Sequence, residues 1–168
     1  MNKQRFPLAT LLQLREHRVE TARALVMERQ AQVQARREAC TAIEGEIVAL
    51  NQERAGQRLR LLDPPPAGVP WAMAMAQRES HIDHLAELAD AARQRLADAQ
   101  GKLREAEAAL DEARKAFFRA KSRLEALEKR RDVWRKEQGA IAQRREEAQS
   151  ADLLLAAHQR STHHNSPF

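Results

Sequence analysis

The chain has 168 residues, with 29 Lys and Arg against 24 Asp and Glu, a net charge of +5, and 43% apolar residues. Ala, Leu, Arg, Glu and Gln dominate, Tyr is absent and aromatics make up 4%, which supplies helix formers and too few β-branched or aromatic residues for a sheet. The apolar content suffices for a helix seam and is spread too thinly for a large globular core, and the single cysteine, Cys40, excludes an intramolecular disulfide.

The first residues are charged but precede no uninterrupted apolar run. Arg15, Glu16 and Arg18 arrive too soon for a signal sequence. No stretch reaches the roughly 20 apolar residues of a membrane span, so a cytoplasmic protein with no direct membrane insertion is expected.

Proline occurs only at Pro7, Pro64, Pro65, Pro66, Pro70 and Pro167, which leaves two long stretches without a helix breaker. The first predicts a helix over about 8–62. One heptad position holds Leu12, Val19, Val26, Val33, Cys40, Ile47, Arg54 and Leu61, broken only at Arg54. Its companion holds Leu8, Arg15, Ala22, Arg29, Arg36, Ile43, Leu50 and Gln57, half of them polar. Arginine at a seam can lay its methylenes along a partner while its head reaches water.

The loop is Asp63-Pro-Pro-Pro-Ala-Gly-Val-Pro70. Pro64 disfavours helix at Asp63, and Pro70 suits the first turn of a new helix. That helix is expected over about 71–157, from Trp71, with a second possible start at the capping-box-like Ser80-His-Ile-Asp83. Its seam reads Ile82, Ala89, Leu96, Leu103, Leu110, Phe117 and Leu124, with companions Leu85, Ala92, Ala99, Ala106, Ala113, Ala120 and Leu127. The 3–4 spacing puts both on one face, and alanine on one edge allows close approach. From Arg131 the first position turns polar (Arg131, Gln138, Arg145, Asp152), while Trp134, Ile141, Ala148 and Leu155 keep a single apolar stripe. The partner helix is expected to run out there.

The reading is an all-α, long antiparallel two-helix coiled-coil hairpin with an overhanging C-terminal helix, a single elongated unit over 1–168. A loop centred near Pro66 puts residue i opposite about residue 133 − i, and so Leu8 opposite about Glu125. A disordered tail is expected over 158–168. Residues 1–37 carry a net +5, 119–147 a net +4 and 38–118 a net −4, which predicts a basic open end and a mildly acidic loop end.

Signatures of catalysis are missing: no Gly-rich phosphate loop, no zinc-spaced Cys/His cluster and no nucleophile elbow. No catalytic residue, cofactor or metal is expected. His81 and His84 share a helical face but read as exposed polar residues near a loop. Cys40 reads as a buried seam residue. Trp134, among Arg130, Arg131, Arg135 and Lys136, reads either as an interface anchor or as a side chain packed on the first residues of the chain.

The opening segment, with Phe6, Leu8, Leu11, Leu12, Leu14, Arg15 and Glu16, resembles the start of the FliJ/YscO family, the central-stalk proteins of type III secretion. The basic C-terminal half looks more like the virulence branch. The resemblance implies a non-enzymatic stalk at the cytoplasmic face of the inner-membrane secretion apparatus. Its partners would be a hexameric secretion ATPase, the export-gate membrane protein and escorting chaperones. The ATPase end would then hold Phe6, Leu8, Leu11, Leu12, Arg15, Arg131, Trp134, Arg135, Ile141 and Arg145. The gate or chaperone region would hold Arg36, Ile43, Ile47, Leu50, His81, Leu85 and Leu88. A monomer is expected, with self-association open through the incomplete seam of helix one. Two other readings stand beside it. A nucleic-acid-associated coiled coil fits the basic charge, but interleaved acids and scarce aromatics weigh against it, so no nucleic acid is expected as a partner. A generic parallel coiled-coil dimer would be interrupted by the proline loop in both strands.

Overall fold

The computed structural model describes residues 5–163 and contains two helices, α1 (Ala9–Leu59) and α2 (Trp71–His163), with no strand among those residues. They form a helical hairpin. The Trp71 start holds, and Ser80 lies inside α2. The helix continues past 157 to His163, and the rest of the expected tail lies outside the described residues. Two compact units divide the chain: Met1–Thr21 with Phe118–Phe168, called unit 1, and Ala22–Phe117, called unit 2.

The ends follow local chemistry. Pro7 costs no helical hydrogen bond at the start of α1, where Ala9 N–H donates to the Phe6 carbonyl and Leu12 N–H to that of Leu8. Beyond Leu59 the chain tightens into short turns, with Leu61 N–H donating to Arg58 and Asp63 N–H to Arg60. Gly68 takes a φ of +86°, a left-handed conformation that favours glycine, and Val69 N–H closes a turn on the Pro66 carbonyl. The Pro70 carbonyl then accepts from Met73 and Ala74 to open α2.

In unit 2 the seam is the one written in the heptads: Val33 and Cys40 from α1 and Ile82, Leu85, Ala89, Ala92, Leu110 and Ala113 from α2 are buried. Ala89 and Ala92 are 0% exposed, so the tightest packing falls on the alanine edge. In unit 1, Leu12 and Val19 are buried.

The register differs from expectation. Glu46 pairs with Arg95, Arg23 lies over the Phe117 ring, and in unit 1 Phe6 meets Trp134. Facing residue numbers add to about 140 rather than 133, so Leu8 falls opposite about Asp132 rather than Glu125. The cause is an asymmetric turn. Residues 60–69 run back along the first turns of α2 as a non-helical leg, held by Arg78, which donates to the carbonyls of Leu61 (3.0 Å) and Asp63 (2.6 Å). The apex is therefore at Pro70 and Trp71, and not at Pro66.

Candidate functional surfaces

Three exposed pairs cross between the helices of unit 2. Arg95 donates twice to the Glu46 carboxylate, at 2.7 and 3.0 Å. Arg37 donates to Glu107 at 2.9 Å, and His81 Nε2 lies 3.6 Å from Glu53. The Arg95 guanidinium holds the Glu46 carboxyl below its ordinary value, first through its hydrogen bonds; burial opposes this to a smaller extent, and the Arg95 charge adds to the lowering. Lys115 is pushed up by Asp111 and Glu112, one turn away on its own helix. These pairs clamp the register. Exposed as they are, each adds little stability.

The two arginines that interrupt the heptads behave alike. Arg54 and Arg131 are both half-buried, and in each the Nε is shielded from solvent without a hydrogen-bond partner. Arg131 Nε has only Asp132 nearby, at 3.7 Å, beyond hydrogen-bonding reach. Laying the methylenes along the seam drags the Nε in with them while the terminal nitrogens reach outward.

The residues expected at the ATPase end all fall in unit 1. Phe6 and Trp134 are half-buried against each other, ring centroids 5.6 Å apart. Leu12 is buried, and Leu11, Arg15 and Arg131 are half-buried, so these pack the unit. Leu8, Arg135, Ile141 and Arg145 are exposed and form the accessible part of the set. From residue 139 to 160 every side chain is exposed except half-buried Ala156. Over 139–157 no packing of helix α2 against α1 is seen among the described residues.

Sequence reasoning missed part of this surface. Leu153 and Leu154 are exposed at 73% and 72%, beside Leu155, which lay on the expected stripe. The run Leu153-Leu-Leu155 was the available signal, but it matches no heptad edge. Leu14, Phe118 and Val133 are also exposed in unit 1. By charge, unit 1 holds 15 basic and 9 acidic residues, a net +6, and unit 2 holds 14 and 15, a net −1.

The gate or chaperone set falls in unit 2. Arg36, His81 and Leu88 are exposed, Ile43, Ile47 and Leu50 are half-buried, and Leu85 is buried in the seam, unavailable to a partner. The turn itself is not acidic. Residues 54–78 hold Arg54, Arg58, Arg60 and Arg78 against Asp63, a net +3, and the acidic residues lie along the paired helices.

Open grooves follow the interface, one lined by Val33, Arg37, Glu107, Leu110, Asp111 and Arg114. Among the described residues no group of three His, Cys, Asp or Glu is placed to hold a metal, and no helix is long and apolar enough to cross a membrane.

The sequence matches the model of a family described as YscO-like protein over residues 3–163. The search of curated proteins gives no match. Among solved structures, the candidate YscO homolog CT670 from Chlamydia trachomatis is similar, with a TM-score of 0.75 and 18% identity. The alignment covers 95% of this chain and 98% of that one, which shows a shared fold.

Proposed function

The chain belongs to the YscO-like family of type III secretion-associated proteins, and from that premise we propose that it is a non-enzymatic stalk and adaptor of the secretion apparatus. Unit 1 docks into the hexameric secretion ATPase. Unit 2 offers Arg36, His81, Leu88 and the half-buried Ile43, Ile47 and Leu50 to the export gate and escorting chaperones. The protein works at the cytoplasmic face of the inner membrane.

One observation carries the reading: the exposed stretch 139–157 of α2, with Ile141 and Leu153–Leu155 open to solvent, in a unit of net charge +6. Exposed leucines on a helix are a cost that a binding partner removes. Basic charge beside them speeds encounter with an acidic ring and orients the docking. Contacts that do not depend on a pocket fit a structural role.

The test is ATP hydrolysis by the secretion ATPase titrated with the protein, with ring assembly followed by light scattering. Saturable stimulation accompanied by hexamer formation is expected. Arg135→Glu, Ile141→Ser and Arg145→Glu combined should weaken the apparent affinity about tenfold or more, because all three are exposed and unneeded for packing. Unchanged stimulation by that variant would reject the docking.

A further inference from the structure

Beyond Trp134 the apolar stripe of α2 continues as Ile141, Ala148 and Leu155, one residue per heptad on one helix face, and all three are exposed. The edge beside it carries Arg145 and Asp152, opposite charges one heptad apart. Neither has an oppositely charged residue three or four positions away on its own helix, and neither makes an ion pair or hydrogen bond among the described residues. We propose that a second copy of the chain covers this stripe, antiparallel to the first, about a two-fold axis at Ala148.

Such an axis puts residue i opposite about residue 296 − i of the second copy. Ile141 then meets Leu155 of the second copy, and Leu155 meets Ile141, one apolar layer on each side of the axis. Ala148 faces Ala148, and so small side chains let the helices approach. Arg145 falls beside Asp152 of the second copy at both ends, which gives both leftover charges a partner. A parallel pair would set arginine against arginine and aspartate against aspartate. An acidic surface of another protein would suit Arg145 but repel Asp152. The second copy satisfies both. The exposed stretch 139–157 is itself centred on residue 148, so the pairing spans it without displacing Phe6 from Trp134.

This departs from the expectation of a monomer, and it uses α2 rather than the incomplete seam of α1. It does not rest on docking to the ATPase. The two would compete, since both use Ile141 and Arg145.

The test is sedimentation equilibrium of the full chain alone. A monomer–dimer equilibrium is expected, with a dissociation constant on the order of 10–100 μM, because two small apolar layers must offset the entropy of association. Arg145→Asp and Asp152→Arg should each weaken it about tenfold with helix content unchanged, by setting like charges together at both ends. The two changes combined in one chain should restore it. In a Cys40→Ala background, Ile141→Cys and Leu155→Cys variants should form a disulfide when mixed and none when oxidised separately. In the antiparallel pair each cysteine lies about 21 Å along the axis from its own counterpart. A chain that stays monomeric up to about 1 mM overturns the proposal. So does a combined variant no tighter than the single ones, a disulfide within either cysteine variant alone, or none in the mixture.

Discussion

Phe6 and Trp134 pack ring on ring in unit 1, 5.6 Å between centroids and tilted by 59°, so the first described residues of the chain are fixed to α2 through an aromatic contact. Of the two readings open for Trp134, packing against the start of the chain is the one the geometry favours. The basic residues around it then act through side chains other than the indole.

That contact is testable. Phe6→Ala should cost about 0.5–1.5 kcal/mol beyond the lost burial. In a Trp71→Phe background it should move Trp134 emission to the red as water reaches the ring. Emission and unfolding midpoint both unchanged would mean that Phe6 contributes no cover in solution.

Arg54 interrupts the seam at a stability cost. Its shielded Nε forgoes a hydrogen bond to water without gaining another. Arg54→Met keeps the stem and removes the orphan donor, and should raise stability by about 1–2 kcal/mol in urea unfolding. Arg131→Met should gain similarly in stability, since its Nε is shielded in the same way.

Ala89 and Ala92 set how closely the helices of unit 2 approach, since neither leaves any surface exposed. Ala92→Leu should destabilise the hairpin by about 1–3 kcal/mol through overpacking. Ala91→Leu, one residue away on an exposed position, should leave the unfolding midpoint nearly unchanged.

The Glu46–Arg95 pair gives a pH signature. Arg95 lowers the Glu46 carboxyl from its ordinary value of 4.5, so the stabilisation is present above that value and is lost as pH falls through the lower folded-state value. Wild type should melt above Glu46→Gln at neutral pH, and the gap should close in the acid range below 4.5. Added salt should narrow it at neutral pH, because both groups are exposed. A gap independent of pH would assign the effect to something other than the ion pair.

The overhang should be visible in hydrogen exchange. Amides over the exposed stretch 139–157 should exchange faster than those around Val33, Ala92 and Leu110. Addition of the ATPase ring should protect them. Protection confined to unit 2 would move the docking surface away from α2's unpaired stretch.

Much of this was written locally. The proline positions set where helices stop and start, and the 3–4 spacing of Ile82, Leu85, Ala89 and Ala92 fixed which face of α2 is buried, because helix geometry alone puts those residues in one stripe. The change of pattern at Arg131 foretold the loss of a partner but placed it too early: Arg131 and Trp134 are half-buried, Trp134 against Phe6, and continuous exposure begins only at 139. The register lay beyond the reach of the pattern. The expected and observed registers, 133 − i and about 140 − i, differ by about one heptad, and a seven-residue repeat presents the same apolar edge after such a slide. What decides between them is the turn: the proline leg lying back along α2, Arg78 holding its carbonyls, and the apex at Pro70 and Trp71. Those are contacts between residues on opposite sides of the loop, and only the folded hairpin brings them together.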